Sequence, residues 1–211
     1  MSRRNWKTVE KYARIEYEVK KSVFIADVFP VTSSEEATDF LRQIKKEFPD
    51  ARHHVYAWRV GGETVEQRYS DDGEPSGTAG MPVLDVLLHQ ELDDVLVVVT
   101  RYFGGILLGT GGLTRAYSTA ASMGVEKAGP CRMEMLHLFH VALDYSLSEK
   151  FQYAVKKQGY VMGDVIYEAR PVIPIACRKE EKEEFLTFVN DITSGRAEVT
   201  FIGEQQMKTA L

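Results

Sequence analysis

Alternating apolar and polar residues predict a β-strand close to the start of the chain. Apolar side chains occupy every second position from Ala13 to Val19, which places them on one face of a strand. A second apolar segment, SVFIADVFPV, follows immediately after Lys20-Lys21. We therefore predict that these two segments form an antiparallel pair.

A helix and a hairpin follow in the pattern. Ser33 and Glu36 have the spacing of a capping box, and apolar residues then repeat at helical spacing until Pro49 ends the helix. The segments HHVYAWRV and TVEQRYS flank Gly61-Gly62, which is typical of a β-hairpin.

The next apolar stretches predict a buried strand between two helices. A short helix with Pro82 in its first turn precedes DVLVVVTRYF, whose continuous apolar character indicates a strand buried on both faces. A glycine-rich connection then opens a helix with one apolar face. The residues predicted to face inward are Leu113, Ala116, Tyr117 and Ala120.

The rhythm changes after KAGP, so we predict an N-terminal domain, residues 1–129, and a C-terminal domain, residues 130–211. The second has the order β-α-β-β-α-β of the ferredoxin-like fold, with Ser148 capping its first helix. Overall, the fold class is α+β. We expect the first and third strands of this domain to be parallel, which would separate Cys131 and Cys177 at opposite ends.

Composition narrows the functional classes. The chain has 211 residues, 44% hydrophobic, and a net charge of −5, with acidic residues outnumbering basic ones on both sides of Gly129. Nucleic-acid binding would therefore need a local basic patch. The sequence has no apolar run of membrane-spanning length, no signal-peptide pattern and no metal-like cysteine spacing, so we expect a cytoplasmic protein.

The glycine-rich connection is the leading candidate for a binding site. Free amides at a helix start between two arginines suit a phosphate or carboxylate. The connection is neither a Walker loop nor G-x-G-x-x-G, and close packing of the helix on its sheet is the alternative. The predicted anion-binding residues are Arg101, Gly104, Gly105, Gly109, Gly111, Gly112, Leu113, Thr114 and Arg115.

An acidic turn, Asp71, Asp72 and Glu74, is predicted to support these arginines or exclude wrong partners. It could hold a hard cation, but an ordinary surface turn explains it better, and we assign no metal. His53 and His54 point to opposite faces of a strand and cannot share one ion. No catalytic triad is recognisable, so we assign neither catalytic residues nor a cofactor.

The blocks RYSDDGEPSGTAGMPVLDVL and VVVTRYFGGILLGTGGLTRAYSTAA, in this order, resemble the IMPACT/YigZ family. The segments KKSVFIADVFPV and ARHHVYAWRVG precede them, and the chain from Cys131 resembles the second domain of bacterial YigZ-like members. The resemblance implies a first domain similar to domain IV of elongation factor G and to the GHMP kinases. It implies a ferredoxin-like second domain similar to domain V of that factor.

The resemblance also implies a link to translation. The eukaryotic relatives regulate translation by binding the large co-activator of a kinase that senses uncharged tRNA. We therefore expect a non-enzymatic protein that binds RNA, the ribosome or a translation-associated protein through its first domain. Alternatives are an enzyme or binding protein for a phosphate-containing small molecule, with His54 or Asp72 as base, and an adaptor using the second domain's sheet.

Overall fold

The computed structural model describes residues 5–61 and 64–211, and these form a mixed α/β protein. Gly62, part of the predicted hairpin turn, lies outside the described residues. The strands are β1 Asn5–Val9, β2 Ala13–Val19, β3 Ser22–Pro30, β4 His53–Val60, β5 Glu66–Ser70, β6 Val95–Tyr102, β7 Pro130–Ala142, β8 Val161–Met162, β9 Val172–Cys177 and β10 Glu198–Ala210. The helices are α1 Ser34–Glu47, α2 Gly80–His89, α3 Gly109–Ala128, α4 Tyr145–Gln158 and α5 Lys182–Thr193.

The chain divides into two compact units, with the division inside β7 between Met133 and Glu134. The first unit also includes Ala210 and Leu211, and the second extends from Glu134 to Thr209. None of the helices in the described part of the chain is both apolar and long enough to cross a bilayer.

The first unit is built on an antiparallel sheet in the order β2-β3-β6-β4-β5. Its central strand β6 has apolar side chains on both faces. Val97 and Val99 belong to one core cluster together with residues of α2 and α3, whereas Leu96 and Val98 pack in another with residues of α1. The continuous apolar run of β6 thus arises because helices cover both faces of the sheet.

The first-unit helices follow the sequence pattern closely. The side chain of Ser33 accepts a hydrogen bond from the amide of Glu36, while the Glu36 carboxylate bonds to the amide and hydroxyl of Thr32. All four residues predicted to face inward from α3 are buried. A Cβ at Gly124 would lie 2.9 Å from Cγ2 of Val28, so α3 packs unusually close to β3.

The second unit has a sheet in the order β10-β7-β9-β8, and β7 additionally pairs with β1. Strands β7 and β9 are antiparallel, so the predicted parallel arrangement of the first and third strands is wrong. The crossover through α4 leaves β8 running in the same direction as β7, and the antiparallel connection from β8 to β9 then reverses the chain. Cys131 and Cys177 consequently lie toward the same end of this pair, and both are buried.

The predicted cap of the first helix in this unit is also wrong. Helix α4 begins at Tyr145 with Asp144 at its N-cap position, and Ser148 is already inside the helix. There the buried Ser148 hydroxyl accepts a hydrogen bond from the side-chain Nε2 of Gln152. Phe139, Phe151 and Phe185 anchor the core between the sheet and its two helices.

Candidate functional site

A cavity of about 630 Å³ opens in the first unit, where β4 begins and β6 ends. The loop before α2, the loop between β6 and α3, and the first turn of α3 complete its wall. Its volume is within the range of sites that hold small molecules. The lining residues are Asp50, Arg52, His53, Glu74, Pro75, Arg101, Tyr102, Phe103, Leu107, Leu108, Gly109, Thr110 and Leu113.

A buried ion pair lies against this cavity. Nη1 of Arg101 donates to Oε1 of Glu74 at 2.6 Å, and the Arg101 side chain is only 7% exposed. The guanidinium lies 5.4 Å from the ring centroid of Phe24 and 5.6 Å from that of Phe103. Nη1 of Arg101 has Glu74 as its acceptor, whereas Nε is buried and has no acceptor among the described residues.

Glu74 has a second donor in the core of the unit. The hydroxyl of Tyr117, on α3, donates to the same Oε1 at 2.8 Å. Burial of Tyr117, together with the neighbouring Glu74 charge, raises the pKa of its hydroxyl strongly. The hydroxyl therefore stays protonated and remains a donor to Glu74. Arg101, Glu74 and Tyr117 thus connect β6, the acidic turn and α3.

The three carboxylates of the acidic turn point to different partners. Asp71 accepts from the amides of Ala79 and Gly80 through Oδ1, at 3.0 and 2.8 Å, and thereby caps α2. Asp72 accepts from the amide of His54 at 2.6 Å and from Lys45 at 3.1 Å. Of the predicted supporting residues, Glu74 is the one that contacts an arginine of the candidate site. The carboxylates of this turn therefore hold neighbouring segments of the first unit in place.

The two histidines diverge, as their adjacency in a strand predicts. His53 lines the cavity, with Nδ1 2.9 Å from the Asp72 carbonyl oxygen and Nε2 4.0 Å from Glu74 Oε1. His54 is buried, Nε2 lies 3.0 Å from the Phe48 carbonyl oxygen, and burial lowers its pKa. Neither His54 nor Asp72 lines the cavity, so the alternative that made one of them the base is not supported there.

The glycines of the connection have different reasons to be glycine. At Gly104 a Cβ would lie 2.0 Å from the carbonyl carbon of Lys21, so the loop packs directly on the β2–β3 turn. Gly109 has φ of +71°, which side chains disfavour. A Cβ on Gly111 would meet nothing within 4 Å. Packing explains part of the cluster but leaves Gly111 without a steric reason.

The first turn of α3 presents free amides at the cavity. Leu108 occupies the N-cap position and provides no side-chain cap. Within the described ranges no backbone or side-chain acceptor outside the helix bonds to the amides of Gly109, Thr110 or Gly111. The start of a helix carries partial positive charge, so these donors favour an anion.

The structure brings only part of the predicted anion site together. Arg101, Gly109 and Leu113 line the cavity. Arg115 is exposed further along α3, so the expected convergence of the two arginines does not occur at this cavity. The other predicted residues that do not line it are Gly104, Gly105, Gly111, Gly112 and Thr114.

Sequence reasoning missed the apolar rim of the cavity. Phe103 is 54% exposed and Leu107 is 82% exposed, both in the loop that joins β6 to α3. The sequence does contain a signal for this rim, because large apolar side chains occur in a glycine-rich loop where no core is available to bury them. Arg52 and Asp50, which precede β4, also line the cavity and were missed, because only the fold brings them beside β6.

Comparison with known proteins finds a matching domain family for each of two parts of the sequence. Residues 20–125 match the Impact N-terminal domain, and residues 141–196 match a domain of unknown function, DUF1949. The chain is 33% identical to IMPACT family member YvyE of Bacillus subtilis, covering 91% of this chain and 88% of that protein. It is also 33% identical to IMPACT family member YigZ of Escherichia coli, covering 89% and 93%.

Two solved structures are similar. A crystal structure described as that of a hypothetical protein has a TM-score of 0.60 and 30% identity, and the match covers 97% of this chain and all of that one. The second is Yih1, described as a two-domain translational regulator, with 28% identity over 58% of this chain and 46% of that chain. Its TM-score of 0.37 is too low to support a structural argument.

Proposed function

This chain belongs to the IMPACT family, and on that premise we propose that it binds RNA in a translation-linked role, through the cavity at the end of β6. The family includes a relative described as a translational regulator. The role proposed is binding rather than catalysis.

The observation that carries the proposal is the mixture of groups around one cavity. Arg52 supplies an exposed cation, and the exposed ring of Phe103 lies 5.6 Å from the guanidinium of Arg101, which is paired with Glu74. Single-stranded RNA is recognised by this combination, because its phosphates need cations and its unpaired bases stack on aromatic rings. Lys20 and Lys21, whose turn packs against Gly104, add positive charge next to the same loop.

The local character of this patch agrees with the acidic chain. A protein with net charge −5 has no general attraction for polyanions. A small basic and aromatic area would therefore give binding with a shallow dependence on salt concentration. A ribosomal or other structured RNA with an exposed single strand would suit such a site better than duplex.

Finer fold comparisons are part of the same proposal. We assign the second unit to the ferredoxin-like group, supported by the strand order β10-β7-β9-β8 with helices between β7 and β8 and between β9 and β10. We assign the first unit to the fold of elongation factor G domain IV and the GHMP kinases, supported by the family resemblance.

Fluorescence anisotropy with a labelled single-stranded 12-nucleotide RNA tests the proposal. Arg52 is exposed, and Arg52→Ala should weaken binding about fivefold to tenfold, because one charged contact to phosphate is lost. Phe103→Leu, which retains an apolar side chain but removes the ring, should weaken it about tenfold. Arg42→Ala, on the exposed face of α1, is the matched control for charge. Equal affinities for all four proteins would overturn the proposal.

A second candidate, binding of a small phosphate-containing molecule, is favoured by the cavity volume of about 630 Å³. A thermal-shift screen with phosphorylated metabolites separates it from RNA binding. Under this alternative one compound raises the melting temperature by several degrees, because binding stabilises the folded state, whereas RNA leaves it unchanged.

A further inference from the structure

We infer that the cavity recognises one nucleoside phosphate unit, with its phosphate at the start of α3 and its base against the rim formed by Phe103 and Leu107. This inference rests on the proposed function and deepens it by naming the ligand chemistry. Two kinds of ligand contain such a nucleoside phosphate unit: a free mononucleotide and the phosphorylated end of an RNA chain.

The phosphate position is indicated by two independent observations. The first-turn amides of α3 at Gly109 and Thr110 lie at the cavity and have no acceptor among the described residues. Arg101 is more than nine-tenths buried, is held by Glu74 through Nη1, and lines the same cavity together with the exposed Arg52. A helix start and an arginine together suit the charge and geometry of phosphate.

The base position is indicated by apolar side chains that the fold leaves outside its core. Phe103 and Leu107 project from the loop between β6 and α3, and Pro75 and Leu113 line the cavity with them. A planar base stacked on Phe103 would cover surface that is otherwise in water. Inorganic phosphate or a simple phosphorylated sugar would leave this apolar rim unused.

The cavity size favours a single unit over an internal stretch of RNA. A volume of about 630 Å³ accommodates one nucleotide with its ribose and some water. The lining includes the buried pair Arg101 and Glu74, whose side chains are only 7% and 4% exposed. His53 and Asp50, on the wall at the start of β4, can accept from or donate to ribose hydroxyls.

Titration calorimetry of the full chain tests the ligand with four probes: UMP, AMP, uridine and inorganic phosphate. UMP or AMP should bind at least about tenfold more tightly than uridine and than phosphate, since each lacks half of the contacts. Uridine binding as tightly as UMP would overturn the phosphate position. Phosphate binding as tightly as UMP would overturn the base position.

Thr110 provides a matched pair of variants. Its side chain is exposed on the first turn of α3 and lines the cavity. Thr110→Glu adds a negative charge that helix starts tolerate well, so the fold is retained while phosphate is repelled. UMP affinity should fall at least about tenfold in Thr110→Glu and about twofold or less in Thr110→Gln. Equal affinities for the two variants would overturn the inference.

RNA oligonucleotides that carry a 5′-phosphate or a 5′-hydroxyl identify the source and separate this inference from the proposed function. Tighter binding of the 5′-phosphorylated RNA than of UMP supports the RNA end as ligand, and the reverse order supports the free nucleotide. If the 5′-phosphate and 5′-hydroxyl RNAs bind with equal affinity and UMP does not bind, this inference is overturned, whereas the proposed RNA binding still stands. Absence of binding to any RNA overturns the proposed function, whatever UMP does.

Discussion

The guanidinium of Arg101 and the carboxylate of Glu74 are joined by a hydrogen bond of 2.6 Å, and their side chains are only 7% and 4% exposed. The two residues come from distant parts of the first unit, the end of β6 and the acidic turn before α2. Tyr117 adds a donor from α3, so one carboxylate oxygen ties three segments together. The cavity lining therefore combines a buried polar group with the exposed apolar side chains of Phe103 and Leu107.

Arg101→Ala should destabilise the protein by about 3–5 kcal/mol, because it leaves the Glu74 charge buried without its cation, with Tyr117 as the remaining hydrogen-bond donor. Chemical denaturation at pH 7 measures this loss. Arg42→Ala is the control, since its pair with Asp39 is largely exposed and is worth about 0–1 kcal/mol. A similar small loss for both variants would show that the Arg101–Glu74 pair does not hold the unit together.

Tyr117→Phe should cost about 1–2 kcal/mol at pH 7, because Glu74 loses a buried donor. It should also change the alkaline limb of the stability profile. The pKa of Tyr117 is raised in the folded protein, so above pH 10 the unfolded chain releases this proton first. The free energy of unfolding of the parent then falls by up to about 1.4 kcal/mol per pH unit more than that of Tyr117→Phe.

Urea denaturation of both proteins from pH 7 to 11 measures this difference. The other tyrosines and the cysteines titrate in parent and variant alike, so only the difference between the two curves is informative. Parallel curves above pH 10 would contradict the assigned ionisation of Tyr117.

Gly104→Ala and Gly111→Ala should have opposite effects, although both lie in the same glycine cluster. A Cβ at Gly104 meets the Lys21 backbone at 2.0 Å, and backbone cannot move aside, so we expect a loss of about 1–3 kcal/mol or more. Gly111 is helical and open, so alanine there should stabilise by up to about 1 kcal/mol. Thermal denaturation measures both, and destabilisation by Gly111→Ala would reveal a packing role for this glycine.

Asp71→Ala should destabilise α2 by about 1–2 kcal/mol, because Gly77, Ala79 and Gly80 lose the acceptor for their amides. Hydrogen exchange of those amides is the direct measurement, and faster exchange should be confined to the start of α2. Asp39→Ala, an exposed carboxylate on α1, is the control and should leave this exchange unchanged. Unchanged exchange in Asp71→Ala would exclude the capping role.

Much of the first unit could be predicted from local patterns. The capping residue Ser33, the inward face of α3 and the fully buried β6 each depend on spacing that the sequence displays directly. The direction of β9 relative to β7 could not be obtained in this way. It depends on the antiparallel connection between β8 and β9, which reverses the chain after the crossover through α4.

The candidate site was only partly predictable for a similar reason. Arg101 and Gly109 are close in sequence, and the structure keeps them at one cavity. Arg115 was expected to join them, but helical geometry carries it along α3 and leaves it exposed. Arg52 and His53 reach the cavity because β4 pairs with β6, and this pairing joins residues about fifty positions apart.

Helix α3 packs tightly against β3 where Gly124 meets Val28, and this contact is remote from the cavity. The helix is continuous from Gly109 to Ala128. A side chain added at position 124 would push the helix away from β3 and thereby shift its other end, about 20 Å away, where the cavity lies. Substitutions at position 124 would then alter the wall of the cavity without changing any residue that lines it. The glycine at position 124 thus contributes to the shape of a cavity that it does not touch.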